Sequence, residues 1–171
     1  NGIKVPEVYY YEPGAILQED FGDLSLLNQY NQKGVETKDF YIKSINELVK
    51  IHKIKQDQSI AYDQFDTRKL NFEVDMTLEY FVRQMNGADE SDLENISTLF
   101  QPVIENIQSK EYVISHRDYH SKNIMIKDQD ICIIDFQDSM LGARQYDLCS
   151  LVDDRYTDLS EDFKKELINY Y

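Results

Sequence analysis

Two cysteines, Cys132 and Cys149, are all that 171 residues contain. That is too few for a disulfide framework, and it fits a reducing compartment. No apolar run approaches the ~20 residues that a membrane-spanning helix needs. No charged-then-apolar leader opens the chain either, since Asn1 is followed by Gly-Ile-Lys-Val-Pro. A cytoplasmic home is the resulting expectation. Positive charge is scarce as well: 18 Lys and Arg stand against 32 Asp and Glu, a formal net charge of −14. The excess is spread along the chain rather than gathered in a tail. Such a surface repels nucleic acid and anionic membranes, so neither is expected as a main partner; an acidic pocket for a cationic substrate stays open as a second reading. Internal repeats and low-complexity segments are absent. An initiating Met is absent too, the first strands read as the middle of a fold, and Tyr170-Tyr171 end the chain inside a helix. Part of a larger protein is therefore expected.

What remains is ordinary for a globular domain with a real core: 42% apolar and 29% charged residues. Val5–Tyr11 and Ala15–Leu17 are β-prone and flank the turn Glu12-Pro13-Gly14. Asp23 or Ser25 can cap a short helix through Tyr30. From Lys38 to Lys55 the pattern is helical, with Tyr41, Ile45, Leu48 and His52 in one stripe. A second helix is predicted over Leu70–Met85, with Leu70, Val74, Leu78, Phe81 and Met85 on one face. A third opens at Ser91, where Ser91-Asp92-Leu93-Glu94 matches a capping box. Its stripe is Leu93, Ile96, Phe100, Val103 and Ile107, and Pro102 should kink or split it. Past Lys110 the period changes to that of strands: Tyr112–Ile114, then a hairpin of Asn123–Lys127 and Ile131–Asp135 around Lys127-Asp128-Gln129-Asp130. Helices resume at about Gln145–Tyr156 and after Ser160.

The chemistry concentrates around that hairpin. His116-Arg117-Asp118-Tyr119-His120-Ser121-Lys122-Asn123 lies on the loop leading into it. The apolar strand Ile131-Cys132-Ile133-Ile134 then ends on Asp135-Phe136-Gln137-Asp138. Phosphoryl transfer needs positioning, a divalent metal to offset phosphate charge, and a carboxylate to orient the acceptor hydroxyl. An Asn and an Asp offer oxygen ligands suited to magnesium. A hairpin joining Asn123 to Asp135 sets those ligands side by side, and Asp118 on the preceding loop can face the acceptor.

The order His-x-Asp-x-x-x-x-Asn, then Ile-Asp-Phe, is similar to the catalytic and metal segments of eukaryotic-type protein kinases. It resembles still more the aminoglycoside phosphotransferase and choline kinase group. Within that group it looks like the bacterial anomeric kinases that phosphorylate N-acetylmuramate and N-acetylglucosamine at C1. The narrower likeness rests on His116–Asn123, Asp135–Asp138 and Tyr146-Asp147-Leu148-Cys149-Ser150-Leu151. It rests also on the Leu70–Met85 helix with its Glu-Tyr-Phe, and on Leu17–Asp23, which falls where such kinases place the adenine-binding hinge. The likeness covers essentially the whole chain in order.

The resemblance implies an α+β, protein-kinase-like fold, mostly the helical C-terminal lobe with a catalytic β-hairpin and a remnant of the N-terminal lobe sheet. Residues 1–23 would be the end of the N-terminal lobe and the adenine hinge. Residues 24–171 would be the C-terminal lobe, with catalytic loop 116–123 and metal segment 135–138. It implies ATP and Mg2+, with Asp118 as catalytic base and Asn123 and Asp135 as metal ligands. The main chain near Gln18 and Asp20 would meet adenine, and Asp147 would brace the loop. Gln137 stands where a protein kinase has Gly, and no Ala-Pro-Glu follows, so the acceptor is expected to be a small molecule. The glycine-rich loop and phosphate-binding lysine of such kinases should precede residue 1, so these 171 residues alone should turn over little.

Other residues read more quietly. His116 and His120 lack a third nitrogen or sulfur ligand for zinc, and His116 is expected to support the loop. His52 and most tyrosines belong to packing, and Cys132 to a buried strand. Arg117, Lys122 and Arg144 lie near the motif, either bracing loops or meeting phosphates or an anionic substrate. Arg144 is carried forward as a substrate-binding candidate, with Gln137 and Asp138 for sugar hydroxyls. The expected function is ATP-dependent phosphorylation of a small-molecule hydroxyl, foremost on an amino sugar, by a monomer. An aminoglycoside or choline-type kinase, and a non-catalytic pseudokinase, are the alternatives.

Overall fold

The tyrosine-rich start folds back on itself. In the computed structural model, which describes residues 2–57 and 59–171, β1 (Val8–Glu12) pairs antiparallel with β2 (Ala15–Gln18). Gly14 supplies the turn, at φ 92, a left-handed backbone that costs glycine little. Both strands are exposed along their whole length, so this ladder has no core of its own. One further backbone bond, from Glu19 N–H to the Glu7 carbonyl at 2.8 Å, carries the pairing into the next segment.

Ser25 starts α1 (Leu26–Lys33), its hydroxyl accepting from Asn28 N–H at 3.1 Å, a cap worth ~1 kcal/mol. A short 3₁₀ turn, Gly34–Thr37, leads into α2 (Lys38–His52). Spacings of three and four put Tyr41, Ile45 and Leu48 on one wholly buried stripe, with His52 buried at its end. Around that stripe pack α5 (Gln145–Val152), α6 (Glu161–Tyr170), and the hairpin of β4 (Ile124–Lys127) and β5 (Asp130–Ile133). Asp128 and Gln129, at φ 54 and 67, form the two-residue turn of that hairpin with the twist such turns require.

A strand that the hydrophobic pattern did not announce lies beside β3 (Tyr112–Ser115): β6 (Met140–Ala143) pairs with it antiparallel, Tyr112 opposite Ala143 and Ser115 opposite Met140. Leu141 also exchanges backbone bonds with Asp63 and Phe65, each at 2.8 Å. All four β6 residues are buried, so its sequence shows no alternation, and Gly142 breaks the β-branched signature.

The second and third helices depart from the sequence reading in detail. α3 runs Thr67–Thr77, capped by Asp66 on Lys69 N–H at 3.0 Å, and passes into a π-helical stretch, Leu78–Met85. The wider turn rotates the stripe out of register: Leu70 and Leu78 are buried, but Phe81 and Met85 are exposed. α4 (Glu90–Gln108) opens on a capping box made by Asp89 and Asp92, two residues earlier than the Ser91–Glu94 pattern. It neither splits nor stops at Pro102, because that residue faces solvent and the carbonyl it leaves unpaired can be hydrated. Ile104 rather than Val103 turns inward. No helix among the described residues is long and apolar enough to cross a membrane.

Candidate active site

The loop 116–123 leaves β3 and enters β4, and its backbone is gripped from beneath. Asp147, in the first turn of α5 and wholly buried, accepts from His116 N–H at 2.8 Å and from Arg117 N–H at 2.9 Å. Arg117 sits at φ 74, a left-handed conformation that a non-glycine residue adopts only when its surroundings impose it. Buried Asp154 holds the other end of the loop, accepting from Ser121 N–H at 2.8 Å. Between them the Tyr119 hydroxyl donates to the Ser44 carbonyl of α2 at 2.7 Å. His116 Nε2 is 3.0 Å from the Ile134 carbonyl, so it carries the ring proton and Nδ1 is the bare nitrogen. Burial holds the His116 pKa below its ordinary value, against the pull of Asp147. The ring is therefore a neutral strut between the loop and the segment that leads from β5 to Asp135.

Held this way, Asp118 is exposed, and its carboxylate makes no hydrogen bond to any described residue. Its own carbonyl accepts from Asn123 Nδ2 at 3.1 Å, and the same amide nitrogen donates to Asp135 Oδ2 at 3.3 Å. One amide thus ties three positions together. Ile134 N–H to the Asn123 carbonyl, at 3.1 Å, closes the hairpin behind it. Asp135, at φ 65, is the second left-handed residue of the site and turns the chain out of the strand. Gln137 Nε2 donates to its Oδ1 at 2.7 Å.

The donor set fits magnesium. Both contacts of Asn123 use Nδ2, which leaves Oδ1 without a hydrogen-bond partner among the described residues, beside a carboxylate. One amide oxygen and one carboxylate suffice for a cation that keeps waters and phosphate oxygens in its shell. Among the described residues no three His, Cys, Asp or Glu side chains are placed to hold a metal.

A cleft of about 460 Å³ joins this pair to the segment that follows β2: it is lined by Val8, Ile16, Gln18–Gly22, Asn123, Met125 and Ile134–Gln137. Gln18 and Asp20 therefore share a cavity with Asn123 and Asp135. The Asp20 N–H has no partner among the described residues, while Lys127 pairs with Glu19 at 3.0 Å and fixes the segment over the hairpin.

The three basic residues near the motif, Arg117, Lys122 and Arg144, have partners within the protein. Arg117 lies over the Phe65 ring, 5.0 Å from its centroid, and reaches Glu73 at 3.4 Å. Lys122 lies 3.6 Å over the Tyr156 ring. Arg144 pairs with Glu111 at 3.0 Å. It follows the β6 residue paired with Tyr112, so it stands at the opposite end of the β3–β6 ladder from His116, a strand length of ~13 Å. The structure does not bring Arg144 to the cleft. Asp138 is exposed in the turn before β6, at the near end of the same ladder. Two neighbours of the loop, Asp154 and Glu73, escaped the sequence reading, while Tyr146 belongs to the segment it singled out. Asp154 looks no different from exposed Asp153, Glu73 lies 44 residues from Arg117, and Tyr146 stacks edge-on with Phe65 at 5.0 Å. Burial raises the pKa of Glu73, opposed by Arg117, and burial likewise raises that of the Tyr146 phenol.

Comparison with known proteins gives this geometry a family. The chain is 28% identical over 179 residues to the N-acetylmuramate/N-acetylglucosamine kinase of Neisseria meningitidis serogroup B, covering 99% of the chain and 52% of that protein. The like-named kinase of Pseudomonas putida is 26% identical over 90% of the chain and 45% of its own length. The chain thus spans about half of these relatives. Among solved structures, the gentamicin complex of the aminoglycoside phosphotransferase APH(2")-IIa superposes with a TM-score of 0.72 at 20% identity, covering 99% of the chain and 60% of that one. Plasmodium vivax ethanolamine kinase gives 0.70 at 16% identity, over 100% and 54%. At these identities the likeness is one of fold: α+β and protein-kinase-like. Residues 1–171 match the family described as Phosphotransferase enzyme family (APH), and the chain belongs to it.

Proposed function

We propose that the complete protein transfers a phosphoryl group from ATP to a hydroxyl of a small molecule, foremost an amino sugar of the N-acetylmuramate or N-acetylglucosamine type. The observation that carries this reading is the single Asn123 amide nitrogen bridging the Asp118 carbonyl and the Asp135 carboxylate, at the foot of a cleft that also contains Gln18 and Asp20. In this reading Asp118, whose carboxylate has no hydrogen-bond partner among the described residues, orients the acceptor hydroxyl and receives its proton. Asn123 Oδ1 and Asp135 hold magnesium, which offsets charge on the phosphates. The backbone at Gln18 and Asp20 pairs with adenine, and Gln137 keeps Asp135 aimed. Asp138, exposed in the turn before β6, is the candidate to meet a sugar hydroxyl. Arg144 is set aside as a substrate contact because it is anchored at the far end of the ladder.

The amino-sugar acceptor is supported by the relatives' names and by the chain's near-complete coverage against them. A cationic acceptor, as an aminoglycoside or choline would be, is favoured by one feature of the site: Glu73 and Asp118 outnumber Arg117, in a protein of net charge −14. Coupled measurement of ADP release from the complete protein with N-acetylmuramate, N-acetylglucosamine, choline and kanamycin separates the two. Turnover confined to the sugars is the expected result; turnover confined to choline or kanamycin overturns the amino-sugar reading.

A further inference from the structure

Asp147 is wholly buried, and a buried carboxylate is costly unless its oxygens are fully engaged. Two backbone N–H groups meet it from the loop. A third neighbour approaches from α2: His52 Nε2 lies 3.6 Å from Asp147 Oδ2, and neither side chain is more than 4% exposed. At that distance the contact is electrostatic rather than a full hydrogen bond. Nε2 has no other partner among the described residues. The opposite ring nitrogen, Nδ1, is 2.7 Å from the Tyr171 hydroxyl, and the two rings stack edge-on at 5.9 Å. Burial raises the pKa of that phenol, so it keeps a proton to donate. A ring that accepts from Tyr171 at Nδ1 carries its own proton on Nε2, facing the carboxylate, and a doubly protonated ring does the same. The remaining tautomer would aim a lone pair at a buried anion and is disfavoured.

His52 ends α2, Asp147 lies in α5, and Tyr171 follows α6. The three converge beneath the one loop residue, Arg117, whose backbone is left-handed. We propose that His52 is a positioning residue for Asp118: its Nε2–H fixes the Asp147 carboxylate that grips the His116 and Arg117 amides, and Tyr171 fixes the His52 tautomer. The proposal rests on Asp118 being the base, and it adds a route by which the helical core sets where that carboxylate stands.

The test compares His52→Phe, which keeps an aromatic ring but has no N–H, with His52→Gln, which restores a donor near the Nε2 position. Tyr171→Phe is the milder third variant. In the complete protein, His52→Phe should lower kcat about 10- to 100-fold, the scale of a small misplacement of a reacting group. KM for ATP should stay within about twofold, because the hinge and the metal pair are untouched. His52→Gln should recover most of the loss, and Tyr171→Phe should show a smaller one. Hydrogen exchange supplies a readout independent of activity: in His52→Phe the His116 and Arg117 amides should exchange faster while those of Ile45 and Leu48 stay protected. Unchanged kcat in His52→Phe, with Asp118→Asn inactive, overturns the inference and leaves the proposed reaction standing. An active Asp118→Asn overturns the base instead, and exchange at His116 and Arg117 then decides whether His52 holds the loop. Unaltered exchange there overturns it.

Discussion

The two helical regions flanking the loop 116–123 are built to different standards. Around α2, Tyr41, Ile45, Leu48 and Leu151 are all 0% exposed and pack into one cluster with the β4–β5 hairpin and α6. The hairpin of α3, the π-helical stretch and α4 buries little beyond Leu70, Leu78, Leu93 and Ile104. It leaves Phe72 62%, Phe81 57% and Met85 75% exposed. Asp147 and Asp154, which accept from the loop amides, and the Ser44 carbonyl, which accepts from the Tyr119 hydroxyl, all come from the first region. Among the described residues the second region supplies Glu73 alone, through the guanidinium of Arg117. Rigidity is thus concentrated where the proposed base and metal ligands must be held within a fraction of an ångström.

That asymmetry can be broken by substitution. The largest effect is expected at the site itself: Asp135→Asn in the complete protein should lower kcat on the order of 100-fold or more, by weakening the hold on the magnesium proposed to offset the phosphate charge. A steady-state assay across magnesium concentrations checks it, and an unchanged magnesium dependence would remove Asp135 from the metal site. Next comes Leu48→Ala, which should cost about 2–5 kcal/mol in urea unfolding, because the cavity opens in the tightest part of the core. A loss below ~1 kcal/mol would mean that this region collapses easily and is not the rigid half.

A smaller effect is expected from His116. Its native pKa lies below 6.5, so between that value and the native pKa the unfolded chain binds a proton that the folded chain does not. Stability contributed by the neutral ring is then present above about 6.5 and falls as pH drops below it. Unfolding midpoints of the protein and of His116→Asn, compared from neutral to mildly acidic pH, should converge on acidification. Parallel curves would contradict a buried neutral ring. The smallest effect belongs to the other region: Phe81→Ala should change stability by no more than about 0.5 kcal/mol, since an exposed side chain has little to lose. A cost near that of Leu48→Ala would erase the contrast.

The site was more legible in the sequence than the support beneath it. Asp118, Asn123 and Asp135 lie within 18 positions, on a loop and a hairpin whose turn is local, so spacing alone implied their proximity. β1, β2, α1 and α2 likewise follow from local turn chemistry, a cap and one regular stripe. β6 did not, because a four-residue strand buried on both faces has neither alternation nor length to mark it. Without β6 the β3–β6 ladder is invisible, and so is the fact that Arg144 stands at its far end. The π-helical turns shift Phe81 and Met85 off the stripe that a period of 3.6 assigned them. Whether a carboxylate lies inside, as Asp154 does, or outside, as Asp153 does, depends on packing around α5 that no neighbouring residue encodes. His52 fitted its buried stripe, and only the fold placed Asp147 and Tyr171 on either side of its ring.

The most direct measurement is turnover and nucleotide affinity of Asp118→Asn in the complete protein, with the acceptor that the substrate panel identifies. The substitution keeps the size of the side chain and removes its ability to take a proton. A kcat lower by on the order of 100-fold or more, with ATP affinity within about twofold, is the predicted result. Near-normal turnover would contradict the assignment of Asp118 as the base and, with it, the reading of this loop as a phosphoryl-transfer site.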